Sequence, residues 1–281
     1  MEQPVIASPE VTKHILNTFK LHAEKKLGQN FLISERIVRR IAAAAELSAE
    51  DTVLEIGPGI GTLTQAIAES GAEVVAVELD KRLLPVLDKT LAGYDNVRVI
   101  NADILTLDVM QAVGKPGFKV AANLPYYITT PIIFALLEKK LPLERLVVMV
   151  QREVAERIAA KPGSKEYGVL SVSMQYYTEP EIAFNVPASS FIPPPNVESA
   201  VLVCKKRLQP PVVLQDEDLF FRVVKAAFSV RRKMLGNALK NMGLTTEETH
   251  AWLLRAGIDG KRRGETLTLQ EFADLANSFK V

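Results

Sequence analysis

Between residues 51 and 150, short apolar runs alternate with longer stretches of helical periodicity. The apolar runs predict strands at 52–56, 73–77, 97–100, 118–121 and 146–150, and the stretches between them predict helices near 63–70, 81–91 and 131–139. Strands that are apolar on both faces and separated by helices belong to parallel sheets covered on both sides. The sequence therefore predicts an α/β fold built around a parallel sheet.

The pattern changes twice after residue 150. Two strand candidates, 171–177 and 200–205, follow without a long helix between them, so we expect an antiparallel pair at one edge of the sheet. After Pro210-Pro211 only helical patterns remain. We therefore predict a first domain over residues 1–207, which begins with a basic arm over residues 1–29, and a smaller all-helical domain over 208–281.

Composition excludes several classes of protein. Of 281 residues, 48% are apolar and 24% charged, which are globular values and too apolar for a disordered chain. The single cysteine, Cys204, excludes an internal disulfide, and its apolar neighbours indicate a buried strand thiol. No apolar run approaches the roughly 20 residues of a membrane span, and no signal peptide is visible. We expect a cytoplasmic protein, and no spacing of His, Cys or Asp predicts a metal site.

Charge is distributed unevenly along the chain. The net charge is +1, but residues 205–281 carry fourteen basic and nine acidic side chains, an excess of +5, which leaves −4 for the remainder. Such runs are usually solvated surface, yet a basic domain joined to a mildly acidic body suggests that it holds a polyanion. The candidate phosphate contacts are Lys225, Arg231, Arg232, Lys233, Lys261, Arg262 and Arg263.

A glycine-rich turn follows the first predicted strand of the sheet. Gly57 and Gly59, with Gly61 after them, let the backbone approach a ligand where a Cβ would collide. Glu78, just past the second strand, is placed to accept ribose hydroxyls, and Asp103, after the third, could accept from an adenine amine. Both acids could instead cap helices. The ligand could be a dinucleotide or S-adenosylmethionine, and the absence of the dinucleotide glycine spacing favours the latter.

The turn Asn123-Leu124-Pro125-Tyr126 follows a buried strand, where open α/β sheets bind ligands. Its residues suit methyl transfer to an exocyclic base amine, whose lone pair is delocalised into the ring. The side-chain oxygen of Asn123 and the carbonyl of Leu124 could orient the amine, Pro125 would stiffen the turn, and Tyr126 would stack on the base. The alternative is an ordinary turn with a core tyrosine.

These motifs resemble, in order and over nearly the whole chain, the ribosomal RNA adenine dimethyltransferases of the KsgA/RsmA type. The motifs are Gly28-Gln29-Asn30-Phe31-Leu32, Glu55-Ile56-Gly57-Pro58-Gly59-Ile60-Gly61, Asn123-Leu124-Pro125-Tyr126, the segment 191–199 (Phe-Ile-Pro-Pro-Pro-Asn-Val-Glu-Ser) and Ala226-Ala227-Phe228-Ser229-x-Arg231-Arg232-Lys233.

The resemblance implies a class I, Rossmann-like methyltransferase sheet with a helical RNA-binding domain. It implies S-adenosylmethionine as methyl donor and two adjacent adenosines near the 3′ end of small-subunit ribosomal RNA as acceptors, each receiving two methyl groups. The partner would be the immature small subunit, and the enzyme would act as a monomer. The implied donor contacts are Asn30, Leu32, Gly57, Glu78, Asp103 and Asn123.

Two aromatic residues complete the predicted acceptor site. Phe191 would cover the second face of the base, because three prolines follow it and predict a rigid surface loop; core packing is the alternative. Tyr127 stands where many relatives carry Asn and could alter the pocket wall.

Three alternative functions fit parts of the sequence. Erythromycin-resistance methyltransferases share most of the motifs, but segment 191–199 and the motif ending at Lys233 favour the small-subunit enzyme. A ribosome-assembly factor with secondary catalysis is the main rival. A nicotinamide-dependent oxidoreductase lacks a visible hydride-transfer acid.

Overall fold

A computed structural model of the chain describes residues 4–24, 27–230 and 232–279. The strands within these residues are β1 (Phe31–Leu32), β2 (Thr52–Ile56), β3 (Glu73–Glu78), β4 (Val97–Asn101), β5 (Phe118–Asn123), β6 (Leu143–Gln151), β7 (Thr178–Val186), β8 (Phe191–Ile192) and β9 (Ser199–Lys206). The helices are α1 (Pro9–Thr18), α2 (Glu35–Ala44), α3 (Thr62–Ala68), α4 (Leu84–Thr90), α5 (Val109–Val113), α6 (Thr129–Glu138), α7 (Arg152–Ile158), α8 (Val169–Tyr177), α9 (Glu217–Phe228), α10 (Leu235–Ala238), α11 (Thr246–Arg255) and α12 (Leu269–Asn277). None of these helices has both the length and the apolar character that a membrane span requires.

Seven strands form one sheet in the order β4-β3-β2-β5-β6-β9-β7, and the first five of these are parallel. The chain moves outward from β2 through β3 to β4, then returns to β5 on the other side of β2. The strand order therefore reverses between β2 and β5, and this reversal opens a crevice at the carboxyl ends of the strands. The predicted α/β fold and all five predicted parallel strands are confirmed.

The strands next to this reversal point are buried on both faces. Val53 and Leu54 of β2, and Val120 and Ala121 of β5, have no exposed surface. This burial is why the strands read as nearly continuous apolar runs and not as alternating patterns. It also fixes the positions of the turns that follow them.

The edge of the sheet differs in part from the prediction. The predicted strand at 200–205 is β9, which pairs antiparallel with β6 and contains the buried Cys204. The predicted strand at 171–177 is wrong, because these residues form helix α8. The outermost strand is β7, which begins directly after that helix.

Alternating polar residues account for the wrong prediction at α8. The alternating spacing of Ser171, Ser173 and Gln175 is typical of one face of a strand, but these residues belong to a helix. The Ser171 hydroxyl accepts a hydrogen bond from the Gly168 N–H at 3.0 Å, and Gln175 Nε2 donates to the carbonyl of Ile158 at 3.1 Å. The helix is buried along most of its length, so its apolar residues show no amphipathic stripe.

The chain folds into two compact units. The first comprises Met1–Ala155 and Glu181–Lys206, and the second comprises Glu156–Pro180 and Arg207–Val281. The second unit takes in residues 156–180, which the sequence pattern assigns to the first domain, together with everything from residue 207 onward. The reason is packing: Tyr176 of α8 lies 5.4 Å, ring to ring, from Phe220 of α9 in the core of the second unit.

Candidate active site

A cavity opens in the first unit at the carboxyl ends of the parallel strands. Two turns reach it, one after β2 and one after β5, which are adjacent because these strands pair directly. The structure thus brings together ten residues that were predicted to contact the donor or the acceptor. They are Asn30, Leu32, Gly57, Gly59, Glu78, Asp103, Asn123, Leu124, Pro125 and Tyr126.

The glycine turn after β2, which contains Gly57 and Gly59, presents main-chain atoms without side chains at one side of this cavity. Gly57 has a φ of +69° and Gly59 a φ of +63°, conformations that L side chains rarely adopt. A Cβ built on Gly57 would meet no protein atom within 4 Å, and one built on Gly59 would lie 3.7 Å from the Phe31 ring. The turn therefore leaves room for a ligand to approach the main chain at Gly57.

Two carboxylates stand beside the glycine turn. Glu78 is 6% exposed, and its oxygens accept hydrogen bonds from the Gly59 N–H at 3.2 Å and the Asp80 N–H at 2.8 Å. Burial raises the pKa of Glu78. Asp103 accepts from the Leu105 N–H at 2.9 Å. Both acids thus bind nearby backbone N–H groups and line the cavity, but neither caps a helix, because the caps of the helices that follow them are Asp80 and Asp108.

The end of the N-terminal arm forms another wall of the cavity, beside the predicted donor contact Asn30. Gln29 Nε2 donates to Asp80 Oδ2 at 2.8 Å, and Arg82 pairs with the same carboxylate at 2.6 Å. Arg82 also lies 3.7 Å from Glu24 of the arm. These contacts hold the segment that precedes Asn30 against the body of the first unit.

The second turn presents two hydrogen-bond acceptors. Asn123 is the last residue of β5, and its Nδ2 donates to the Asn30 carbonyl at 3.3 Å. This bond fixes the amide plane and leaves Oδ1 as an acceptor. No hydrogen bond within the described part of the chain takes up the Leu124 carbonyl oxygen, whereas the Pro125 carbonyl accepts from the Ile128 N–H at 3.2 Å.

Three aromatic residues were predicted at or near this turn, and they occupy different environments. Tyr126 lines the cavity with its hydroxyl bonded to that of Ser199. Tyr127 is 55% exposed and lies at the same cavity, where a Cβ on Gly28 would come within 3.3 Å of its ring. Phe191 is 2% exposed, belongs to an apolar core cluster and does not line the cavity. The prediction that Phe191 covers the base is therefore corrected, because its pairing with Leu32 across β1 and β8 places it in the core.

Comparison with known proteins identifies the family. A profile described as ribosomal RNA adenine dimethylase matches residues 20–280. The chain belongs to this family. Two relatives named ribosomal RNA small subunit methyltransferase A, from Geobacillus sp. (strain WCH70) and Bacillus mycoides (strain KBAB4), are 49% and 50% identical. The alignments cover 98% of both chains in the first case and 97% of both in the second.

Two solved structures share the fold of this family member. A dimethyladenosine transferase from Plasmodium falciparum aligns with a TM-score of 0.74 at 26% identity, over 87% of this chain and 95% of its own. The 23S rRNA methyltransferase ErmE aligns with a TM-score of 0.70 at 28% identity, over 89% of this chain and 99% of its own. Both similarities extend well beyond the residues of the cavity.

A buried acid in β2 is a further component of the site. Glu55 lines the cavity but is 1% exposed, and its Oε2 has no hydrogen-bond partner among the described residues. Burial, with a smaller contribution from the charge of Glu78, raises the pKa of Glu55 to about 8. The carboxyl is therefore mostly neutral at pH 7. Glu55 begins one of the motifs of the family resemblance but was given no role there, although an acid within an apolar strand is a signal that could have indicated one.

The predicted phosphate contacts of the second unit differ in their surroundings. Gly264 lies so close to α9 that a Cβ on it would come within 2.7 Å of the Ala227 carbonyl oxygen, and the Leu235 N–H donates to the Arg262 carbonyl at 2.7 Å. The two basic stretches therefore adjoin. Five exposed side chains form what we call the basic cluster: Lys225, Arg232, Lys233, Lys261 and Arg263.

Arg262, which was also predicted to contact phosphate, differs from the residues of the basic cluster. Arg262 forms an ion pair with Glu271 and donates from Nη2 to the Thr266 carbonyl at 2.7 Å. These bonds hold the Arg262 side chain against the second unit, and its contact with phosphate stays a prediction. Arg231 lies outside the described residues.

Replacement of Glu55 by Gln should change how stability depends on pH. Because the folded-state pKa of about 8 exceeds the ordinary 4.5, the folded chain retains a proton that the unfolded chain loses. The free energy of unfolding should therefore fall as pH rises from 4.5 to 8, by about 1.4 kcal/mol per unit of pKa difference. Urea unfolding between pH 5 and pH 9 should show this fall in the wild type and a reduced fall in Glu55→Gln.

The exposed Glu73 provides a matched control in the neighbouring strand β3. Glu73→Gln should follow the wild-type pH dependence. If Glu55→Gln also follows it, the assignment of the buried proton to Glu55 is wrong.

Proposed function

We propose that the chain transfers methyl groups from S-adenosylmethionine to the N6 amines of two adjacent adenosines in the 3′-terminal hairpin loop of small-subunit ribosomal RNA, and converts each to N6,N6-dimethyladenosine. The observation that carries the proposal is one cavity lined by both the glycine turn and the Asn123-Leu124-Pro125-Tyr126 turn. A donor held by the glycine turn and an acceptor held by the second turn can react only in a cavity that both turns line.

The residues of the cavity suit the proposed donor. When bound, S-adenosylmethionine supplies an electrophilic methyl group on a positively charged sulfur. The bare backbone at Gly57 would accommodate it, Glu78 would accept from its ribose hydroxyls, and Asp103 would accept from its adenine amine. The unpaired oxygen of Glu55 supports this fit, because a cation in the cavity would favour the ionised carboxylate.

The second turn suits an aromatic amine as acceptor. Asn123 Oδ1 and the Leu124 carbonyl would each accept one N–H of the adenine amine, which holds the hydrogens in place and directs the nitrogen lone pair toward the methyl group. The bond from Asn123 Nδ2 to Asn30 supports this role, because it leaves the amide oxygen available. Tyr126 would stack on the ring.

Transfer forms an N–C bond as the methyl–sulfur bond breaks, and it leaves a neutral thioether and a positively charged amine. That amine is strongly acidic and loses a proton to water. In the second round the monomethylated amine has one hydrogen left, so only one of the two acceptors can be used. An adenine in a duplex would hide its amine edge, so the target must lie in a loop or be flipped out.

The choice of small-subunit RNA is supported by the comparisons. The relatives named for the small subunit are 49% and 50% identical, whereas the 23S rRNA methyltransferase ErmE is 28% identical. Segment 191–199 is part of the same resemblance.

Asn123→Ala should abolish methylation while donor binding stays measurable, because the variant loses acceptor orientation and keeps the glycine turn. Activity is measured with a tritiated donor and undermethylated small subunits, and donor binding by calorimetry. Methylation equal to that of the wild type would refute the role assigned to Asn123.

The two Tyr126 variants should differ in turnover. Tyr126→Phe keeps a ring that stacks and should lose about tenfold, the cost of one hydrogen bond. Tyr126→Ala also loses stacking, which is typically about 1–3 kcal/mol, and should fall about a hundredfold or more. If the two variants are equally impaired in single-turnover assays, the ring does not act by stacking.

We propose that the basic cluster of the second unit contacts RNA phosphates. The logarithm of the association constant should then fall with the logarithm of salt concentration by about 0.7 per contact on single-stranded RNA. Lys233→Ala combined with Lys261→Ala should reduce that slope by about 1.4 in titrations of the hairpin RNA. Arg255→Ala, an exposed change in α11, is the control and should keep the wild-type slope. If the association constant of the wild type did not change with salt concentration, the proposal that the second unit contacts RNA phosphates would be wrong.

A further inference from the structure

Segment 191–199 is part of the family resemblance, yet no residue of it lines the cavity. Its first two residues form β8 and pair with β1, which follows Asn30 of the proposed donor wall. Its last residue, Ser199, begins β9 and has no exposed surface. The segment therefore lies behind the site and can act on it only through other residues.

Ser199 reaches the site through Tyr126. The two hydroxyls form a short hydrogen bond, in which either oxygen can donate. It joins residues 73 positions apart, one buried in the sheet and the other lining the cavity. Among the described hydrogen bonds it is the one that holds the Tyr126 side chain.

Sheet topology explains why a residue of β9 can reach that turn. Strands β5 and β6 are parallel, and β9 runs antiparallel to β6, so β9 begins at the edge where the other two end. Ser199 pairs with Gln151, the last residue of β6, and Asn123 ends β5 beside Met149. A large side chain just after β5 can therefore extend past the end of β6 to the start of β9.

We infer that Ser199 is a positioning residue for methyl transfer: its hydroxyl fixes the Tyr126 ring in the orientation on which the acceptor adenine stacks. This inference rests on the proposed function. The Cα–Cβ and Cβ–Cγ bonds of a tyrosine rotate, and stacking contributes fully only when the ring is held parallel to the base. The Ser199 backbone is held within the β6–β9 ladder, so its hydroxyl is a rigid anchor for the ring.

A double-mutant cycle tests this role. Ser199→Ala and Tyr126→Phe each remove one partner of the same hydrogen bond, and each should lower kcat about tenfold with the donor Kd unchanged. The double variant should also lose about tenfold, because the second change removes nothing further. If Ser199 affected turnover only through the general structure and not through this hydrogen bond, the two tenfold losses in kcat would multiply to about a hundredfold in the double variant.

Ser190→Ala is the matched control. Ser190 is a buried serine that directly precedes segment 191–199, and its described contact with the N-terminal segment uses the backbone carbonyl, which accepts from the Ile33 N–H at 2.8 Å. This variant should keep the wild-type kcat.

The outcomes separate this inference from the proposed function. If the wild type does not methylate undermethylated small subunits, the proposed function fails. If the wild type is active while Ser199→Ala matches it, or while the losses multiply in the double variant, the proposed function stands and the role of Ser199 is refuted.

Discussion

Direct parallel pairing of β2 with β5 is the interaction on which the rest of the site depends. Each strand is buried on both faces, so neither can shift without exposing apolar surface. Since the chain leaves β2 in one direction and returns to β5 from the other, the two following turns diverge and leave a cavity. One turn offers bare backbone, and the other offers acceptors for an amine.

The walls of that cavity are held in place by hydrogen bonds and ion pairs with other segments of the first unit. Asn30 fixes the amide of Asn123, the ion pair of Arg82 with Asp80 helps to hold the arm, and Ser199 anchors Tyr126. In two of these cases a polar group of one segment holds a residue of another segment that has a proposed role in the chemistry, Asn123 or Tyr126. These contacts with other segments explain how a site made largely of turns can have a defined geometry.

The sequence predicted those parts of the structure that a local pattern determines. The parallel strands are predictable because burial on two faces makes them continuously apolar. The turns are predictable because glycine allows backbone conformations that other residues rarely adopt and proline restricts the backbone. Parts that depend on distant contacts were missed. Residues 171–177 alternate like a strand because Ser171 and Gln175 bond within a helical unit, and Phe191 next to three prolines gave no sign of its pairing with Leu32. The sequence pattern did not distinguish Arg262 from its basic neighbours, because its ion pair with Glu271 depends on the folded chain.

The most direct test of the account is a crystal structure of the chain with a bisubstrate analogue, in which adenosine is joined through N6 to the methyl position of the donor. The account predicts that N6 lies within hydrogen-bond distance of Asn123 Oδ1 or the Leu124 carbonyl, with the acceptor adenine against Tyr126 and the donor ribose at Glu78. An acceptor adenine bound outside this cavity, or a donor half that does not reach the glycine turn, would contradict it.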